Sequence, residues 1–251
     1  VAELDGRWVT MNGAKVFISS KGDVIKGLGR SYHLKTLNDE QIVDLLEKHL
    51  DDYKNEFDPR FVKRGAGCIA IIGDELGAGQ LPELITEDEL AEEVANGGKE
   101  LWRGFGQGGE KNAEQFKTGE LYVGKGLYGC GTYTTPDKGV AEMYSGNKPD
   151  PKSMAHMVLK SDARIVEYDD MLGDYEKGIT RNNLIAIKNA RYPGVERFVT
   201  DDLKHFIHTF TFDVGGIGLL QGYDAIRVKD NKTSAGDYYV ILNRGALKVV
   251  R

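Results

Sequence analysis

Apolar and polar residues alternate between 14 and 28. Val16 and Ile18 are followed by the turn-forming Ser20-Lys21-Gly22-Asp23 and then by Val24-Ile25. Period-two alternation around such a turn predicts a β-hairpin. The period becomes helical over residues 39–50, where Ile42, Leu45, Leu46 and His49 fall on one face. Asn38, three residues before Gln41, predicts a capping box at the start of that helix. Residues 51–66 are charged and show no period. They read as a joint between an N-terminal hairpin-helix extension, residues 1–60, and a main domain, residues 61–251. A second helix is predicted over 87–96, opened by the Thr86 and Glu89 pair and closed by Gly97-Gly98. Residues 100–104 read as a short strand that stops at glycine, and 105–120 as a loop rich in Gly, Gln and Lys.

Further along, the apolar runs are short and strand-like, at 157–159, 164–168, 225–228 and 238–242. Helical spacing returns at 183–190 and 203–210. These elements do not alternate as a βαβ series would. The predicted class is therefore α+β, with mostly antiparallel strands and flanking helices.

Composition narrows the classes. The chain has 251 residues, 40% hydrophobic and 29% charged, which is ordinary for a globular domain. A net charge of -6 argues against bulk binding to nucleic acid or to an anionic membrane. No apolar run reaches the roughly 18 residues of a membrane span, and no secretory signal is visible. Location stays open between the cytoplasm and delivery into a host cell. Val1 at the start reads as the edge of a processed or excised fragment. Cys68 and Cys130 are expected to be reduced. His205 and His208 are the one close histidine pair, and with no third ligand nearby they predict no metal site.

Two segments carry candidate chemistry. Arg103 ends a predicted strand and is followed by Gly104, so a planar guanidinium can address a phosphate or carboxylate while the glycine admits a ligand to the backbone. The second is Gly124-Lys125-Gly126-Leu127-Tyr128-Gly129-Cys130-Gly131-Thr132-Tyr133-Thr134-Thr135. Its four glycines suggest a backbone that turns tightly or lies against a flat ligand. It fits neither a phosphate-binding Walker loop nor a Rossmann fingerprint.

Together and in this order, the segments resemble the ADP-ribosyltransferase superfamily. Leu-Trp-Arg-Gly at 101–104 is similar to the first-strand element of that family, and Tyr133 follows Arg103 by thirty residues. Residues 129–144 resemble the Gly-x-Gly-x-Tyr segment of the poly(ADP-ribose) polymerases, including the later Tyr144. Thr134-Thr135-Pro136 occupies the register of the Ser-Thr-Ser element of the Arg-type toxins. The match covers roughly residues 98–251, and its order looks most like domains of phage-associated or bacterial toxin proteins. The resemblance implies NAD as substrate, bound by Arg103, Gly104, Tyr133, Thr134 and Tyr144. Arg103 would hold the pyrophosphate or ribose, and Gly104 would offer its backbone to the nicotinamide amide. Tyr133 and Tyr144 would sandwich the nicotinamide ring, and Thr134 would orient the catalytic carboxylate. A core position on a short helix is the other reading of Tyr144.

The family's third element is a late-strand glutamate, and this chain has no glutamate after Glu196. Asp237 falls on that glutamate in the polymerase pattern. In the toxin pattern Asp237 takes the first glutamate and Tyr239 the second. Asp237 keeps the charge on a shorter side chain, so three outcomes stand. It works from a closer strand, the site binds NAD but turns it over poorly, or a native glutamate has been replaced. A turn role after Gly236 is the structural alternative. Glu167 and Asp169 are expected to share a strand face in solvent, and Asp224 to mark a turn or strand start. The implied activity is mono-ADP-ribosyl transfer to a macromolecular acceptor, a protein before a nucleic acid. Asp237, Thr134 and Arg103 would be its catalytic residues. The alternatives are a non-catalytic NAD-binding or virion-structural module, and an NAD glycohydrolase.

Overall fold

The computed structural model describes residues 6–11, 14–19, 24–27, 32–54, 72–73, 75–106, 108–119, 124–146, 150–194, 197–231 and 236–251. The chain divides into two compact units, Val1–Tyr32 and His33–Arg251. The first is a three-stranded antiparallel sheet of β1 (Gly6–Met11), β2 (Ala14–Ser19) and β3 (Val24–Gly27). The predicted hairpin is β2–β3; its turn at 20–23 lies outside the described residues, and β1 is an additional strand.

The second unit begins earlier than the expected boundary near residue 60. The helix Asp39–Lys48 has both halves of its capping box, with Asn38 Oδ1 accepting from the Gln41 amide at 2.9 Å and Gln41 Oε1 from the Asn38 amide at 3.0 Å. Its apolar stripe of Ile42, Val43, Leu45 and Leu46 is buried in the same core as Leu184, Phe206 and Val240. Burial of that stripe ties the helix to the main body, so the division falls between Tyr32 and His33. Residues 50–54 form a further helix where irregular chain was expected, and 55–66 lie outside the described residues.

The main unit is α+β. A five-stranded sheet runs in the order β6 (Gly124–Gly126), β7 (Gly129–Thr134), β11 (Gly236–Ile241), β10 (Ala225–Asn231) and β9 (Ile165–Glu167). A four-stranded sheet runs β4 (Glu83–Ile85), β12 (Leu247–Val250), β8 (Met154–Leu159) and β5 (Lys99–Gly104). The pairings are antiparallel except β9 on β10 and β4 on β12, as the mostly antiparallel expectation had it. An isolated bridge between Trp102 and Thr135 joins the end of β5 to the end of β7. This bridge is what brings the two chemistry-bearing segments side by side.

The helix Glu87–Ala95 has the predicted Thr86–Glu89 capping box. The expected loop at 105–120 is corrected: Gly109–Thr118 is a helix. Only Ala113 and Phe116 are buried on it, so its apolar stripe is too narrow to stand out among polar residues. Its start is a left-handed Gly108 with no side-chain cap, which removes the usual N-terminal signal. The helix Val214–Leu220 was also not foreseen, because three of its seven residues are glycine. Those glycines serve packing: a Cβ on Gly215 would lie 2.1 Å from the Cys130 carbonyl, and one on Gly216 2.3 Å from the Phe210 carbonyl.

Candidate functional site

β5 and β7 deliver the two sequence segments to one cavity of about 610 Å³. Arg103, Gly104, Tyr133, Thr134 and Tyr144 all line it, joined by Trp102, Tyr128 and Tyr238. Asp237 is not among the lining residues.

Arg103 is half-buried, with Nη1 donating to the Tyr133 carbonyl at 3.4 Å and Cζ lying 4.9 Å from the centre of the Phe105 ring. The carbonyl and the aromatic face together hold the guanidinium at the cavity wall.

Gly104 lines the cavity and also meets a packing need. A Cβ at this position would lie 2.0 Å from the Ala141 carbonyl oxygen and 2.7 Å from the Ser145 nitrogen. Glycine is needed because the helix Lys138–Tyr144 packs directly on β5, whatever else approaches the backbone. The β6–β7 glycines have similar causes. Gly129 has φ +95° and abuts Gly215, and a Cβ on Gly131 would meet Val240 Cγ1 at 2.4 Å. Gly126 lies under the Tyr133 ring, where a Cβ would be 2.3 Å from Cζ.

Tyr133 closes its own hairpin. Its hydroxyl donates to the Gly129 carbonyl at 2.7 Å and accepts from the Tyr128 amide at 2.9 Å. Burial pushes this phenol well above its ordinary pKa, although the Tyr128 amide bond opposes the shift. Thr134 is buried, and its hydroxyl donates to the Tyr239 carbonyl at 2.9 Å. That bond stitches β7 to β11 and does not orient Asp237.

Tyr144 ends the helix Lys138–Tyr144, which Asp137 caps by accepting from the amides of Gly139 and Val140. At 62% exposure Tyr144 is no core residue, which removes the structural reading of this position. Tyr238 lines the same cavity as Tyr144. Burial first, and the neighbouring Tyr144 side chain second, raise the Tyr238 phenol above its ordinary range.

Asp237 accepts from Arg227 Nε at 2.9 Å and Nη2 at 2.6 Å, while Arg227 Nη1 also stands 3.6 Å from Glu167. The bond to Asp237 is the leading cause that raises the Arg227 pKa further. Side chains alternate along β11, so Asp237 shares a face with Tyr239, and Tyr238 takes the face opposite. The register pairs Arg227 with Tyr239, consistent with the ion pair on that side.

The remaining candidates are structural. Glu167 ends β9 and pairs with Lys229 at 3.2 Å, while Asp169 lies in the first turn of the helix Tyr168–Lys177; they share no strand face. Asp224 stands at the start of β10, as expected, and is wholly buried. It accepts from the Arg164 amide at 2.8 Å and Asn243 Nδ2 at 2.7 Å, with His33 Nδ1 at 3.3 Å. Cys130 is a buried thiol, and Cys68 lies outside the described residues. Among the described residues no group of His, Cys, Asp and Glu could hold a metal ion, and no helix is long and apolar enough to cross a membrane.

Sequence reasoning missed Tyr128, Tyr238 and Trp102 as cavity residues. Alternation along β11 sets Tyr238 opposite Asp237 but does not say which of the two faces the cavity. Comparison of the chain with protein-family models, curated proteins and solved structures finds no match.

Proposed function

We propose that this cavity binds NAD and that the chain is a mono-ADP-ribosyltransferase. The supporting observation is the meeting of Arg103 with several tyrosines in one cavity. NAD combines an anionic pyrophosphate with flat rings, and a guanidinium fork beside aromatic walls suits both parts. In the reaction the bond between nicotinamide nitrogen and ribose C1′ breaks, and nicotinamide leaves with the electron pair. A nucleophile on a protein acceptor forms the new bond to C1′ and loses its proton. A carboxylate stabilises the cationic ribose in between, much as in glycosidases. Asp237 is the candidate from the resemblance.

A second reading is favoured by one observation: Asp237 is held by Arg227 and lies outside the cavity lining. On this reading the chain binds NAD without turning it over.

Replacing Arg103 with alanine is expected to weaken NAD binding by about 10- to 100-fold, the worth of a charged hydrogen-bonded contact. Calorimetry measures it, and unchanged affinity would remove Arg103 from the site. For the chemistry, Asp237→Asn is expected to cut nicotinamide release by roughly 100-fold. Wild-type protein that binds NAD but releases no nicotinamide establishes the binding-only reading. Release without a labelled acceptor identifies a glycohydrolase.

A further inference from the structure

The helix Arg197–Thr211 buries Leu203, Phe206, Ile207 and Phe210 and turns another side to solvent. Lys204, His205 and His208 are exposed there, and Phe212, the residue after the helix, is 70% exposed. Steps of three and four residues put these side chains on one stripe, about 12 Å long by the helical rise. Aromatic rings back its two ends. Tyr53 lies 5.8 Å from the His205 ring, and Tyr175 meets Phe212 edge to face at 6.1 Å and 65°. The neighbouring helix Ile179–Arg191 adds Arg181, whose Nε donates to the Thr211 hydroxyl at 3.1 Å and Nη2 to the Thr211 carbonyl at 3.2 Å. Those two bonds fix the guanidinium beside the stripe and leave Nη1 without a partner among the described residues.

Carboxylates on the same segments are turned to other partners. Asp174 accepts from Thr180 and Gln221, Asp213 from the Cys130 and Gly216 amides, and Asp202 pairs with Lys54 at 3.0 Å. Glu176 is exposed, next to an exposed Lys177. Burial first, and then the like charges of Arg181, Lys204 and His205, hold the His208 imidazole below its usual range. Positive charge is therefore crowded along this stripe, which ends on an open aromatic face. An anion offsets the crowding, and a flat ring covers Phe212. Single-stranded nucleic acid supplies both along one line, phosphates for the cations and unpaired bases for the ring. A duplex keeps its bases stacked inside, and an acidic peptide brings charge without a ring at each step.

We propose that this helix face binds single-stranded nucleic acid, with phosphates on Arg181, Lys204 and the two histidines and a base stacked on Phe212. The assignment is independent of the NAD reading. A net charge of -6 speaks against a broad basic face, not against a patch of this size.

The test uses the full chain and a fluorescein-labelled oligothymidylate, followed by fluorescence anisotropy over a range of salt. Two permanent cations predict that the logarithm of affinity falls with that of salt at a slope of about -1.4, the single-strand value for two phosphates. Lys204→Ala is expected to make that slope shallower by about 0.7. Phe212→Ala is expected to weaken binding by roughly tenfold or more at unchanged slope, because a stack is lost and no charge. Both positions are exposed, so both variants are expected to melt with the wild type. Lys111→Ala, on the exposed side of the helix Gly109–Thr118, is the control and is expected to bind as the wild type does. Wild-type protein that fails to bind the oligonucleotide overturns the proposal, and so does binding that Lys204→Ala and Phe212→Ala leave unchanged. A duplex of the same length, or polyglutamate, that competes as well as the oligothymidylate also overturns it, since charge alone would then carry the contact.

Discussion

Replacing Arg244 with methionine is expected to destabilise the chain by about 1–3 kcal/mol, the cost of leaving a buried carbonyl without its donor. Arg244 is 2% exposed. Its guanidinium donates to the carbonyls of Phe116 at 2.8 Å, Gly119 at 3.1 Å, Gln115 at 3.3 Å and Gln80 at 3.3 Å. Three of these belong to the C-terminal end of the helix Gly109–Thr118; the Gln115 carbonyl also accepts from the Gly119 amide at 3.0 Å, while those of Phe116 and Gly119 lie where a helix runs out of its own donors. Methionine fills similar space but donates nothing, and each buried carbonyl left without a donor costs about 1–3 kcal/mol. Lysine is expected to rescue little, since a point charge cannot reach several carbonyls as a planar fork does. Urea unfolding measures the loss as a lower midpoint at unchanged slope. A loss below about 1 kcal/mol would show that solvent can satisfy these carbonyls, contrary to the burial. The Asn243-Arg244 pair that follows β11 therefore has a structural cause. Asn243 holds the buried Asp224, and Arg244 holds a helix end.

This helix marks where the sequence stops being readable. The helices at 39–48 and 87–95 are legible because both halves of each cap lie three residues apart. The cap of Gly109–Thr118 arrives from a residue more than 120 positions away, and no local pattern announces it. Glycines mislead for a related reason. The four between Gly124 and Gly131 suggested a tight turn or a flat ligand; Gly129 makes the left-handed turn, against Gly215, while Gly126 and Gly131 answer to the Tyr133 ring and Val240. Each contact crosses to a neighbouring strand, ring or helix that a linear reading cannot place. The meeting of Arg103 and Tyr133 was implied by the family resemblance, and the structure brings Arg103 Nη1 to 3.4 Å from the Tyr133 carbonyl. The placement of Asp237 was not legible. Alternation shows that Asp237 and Tyr238 face opposite ways, but only the packed sheets show which side holds the cavity.

Gly104→Ala is expected to lower both stability and NAD affinity. The added Cβ lies 2.0 Å from the Ala141 oxygen, 2.7 Å from the Ser145 nitrogen and 2.9 Å from the Tyr144 carbonyl carbon. All three are backbone atoms, so no side-chain rotation relieves the clash, and the helix Lys138–Tyr144 must move off β5. Overpacking usually costs about 1–3 kcal/mol, and contact with rigid backbone places this variant at or above the upper end. The displaced helix carries Tyr144, so the cavity mouth changes even in molecules that stay folded. Gly106→Ala is the control, since its Cβ would meet only the Tyr144 oxygen at 3.3 Å, a contact relieved by a few tenths of an ångström. Thermal melting and calorimetry on both variants separate the two roles proposed for this glycine. A Gly104→Ala protein with wild-type melting and lost NAD binding would return the position to direct ligand contact. Joint loss of stability and affinity, with Gly106→Ala near wild type, makes Gly104 the joint on which Tyr144 is held in place.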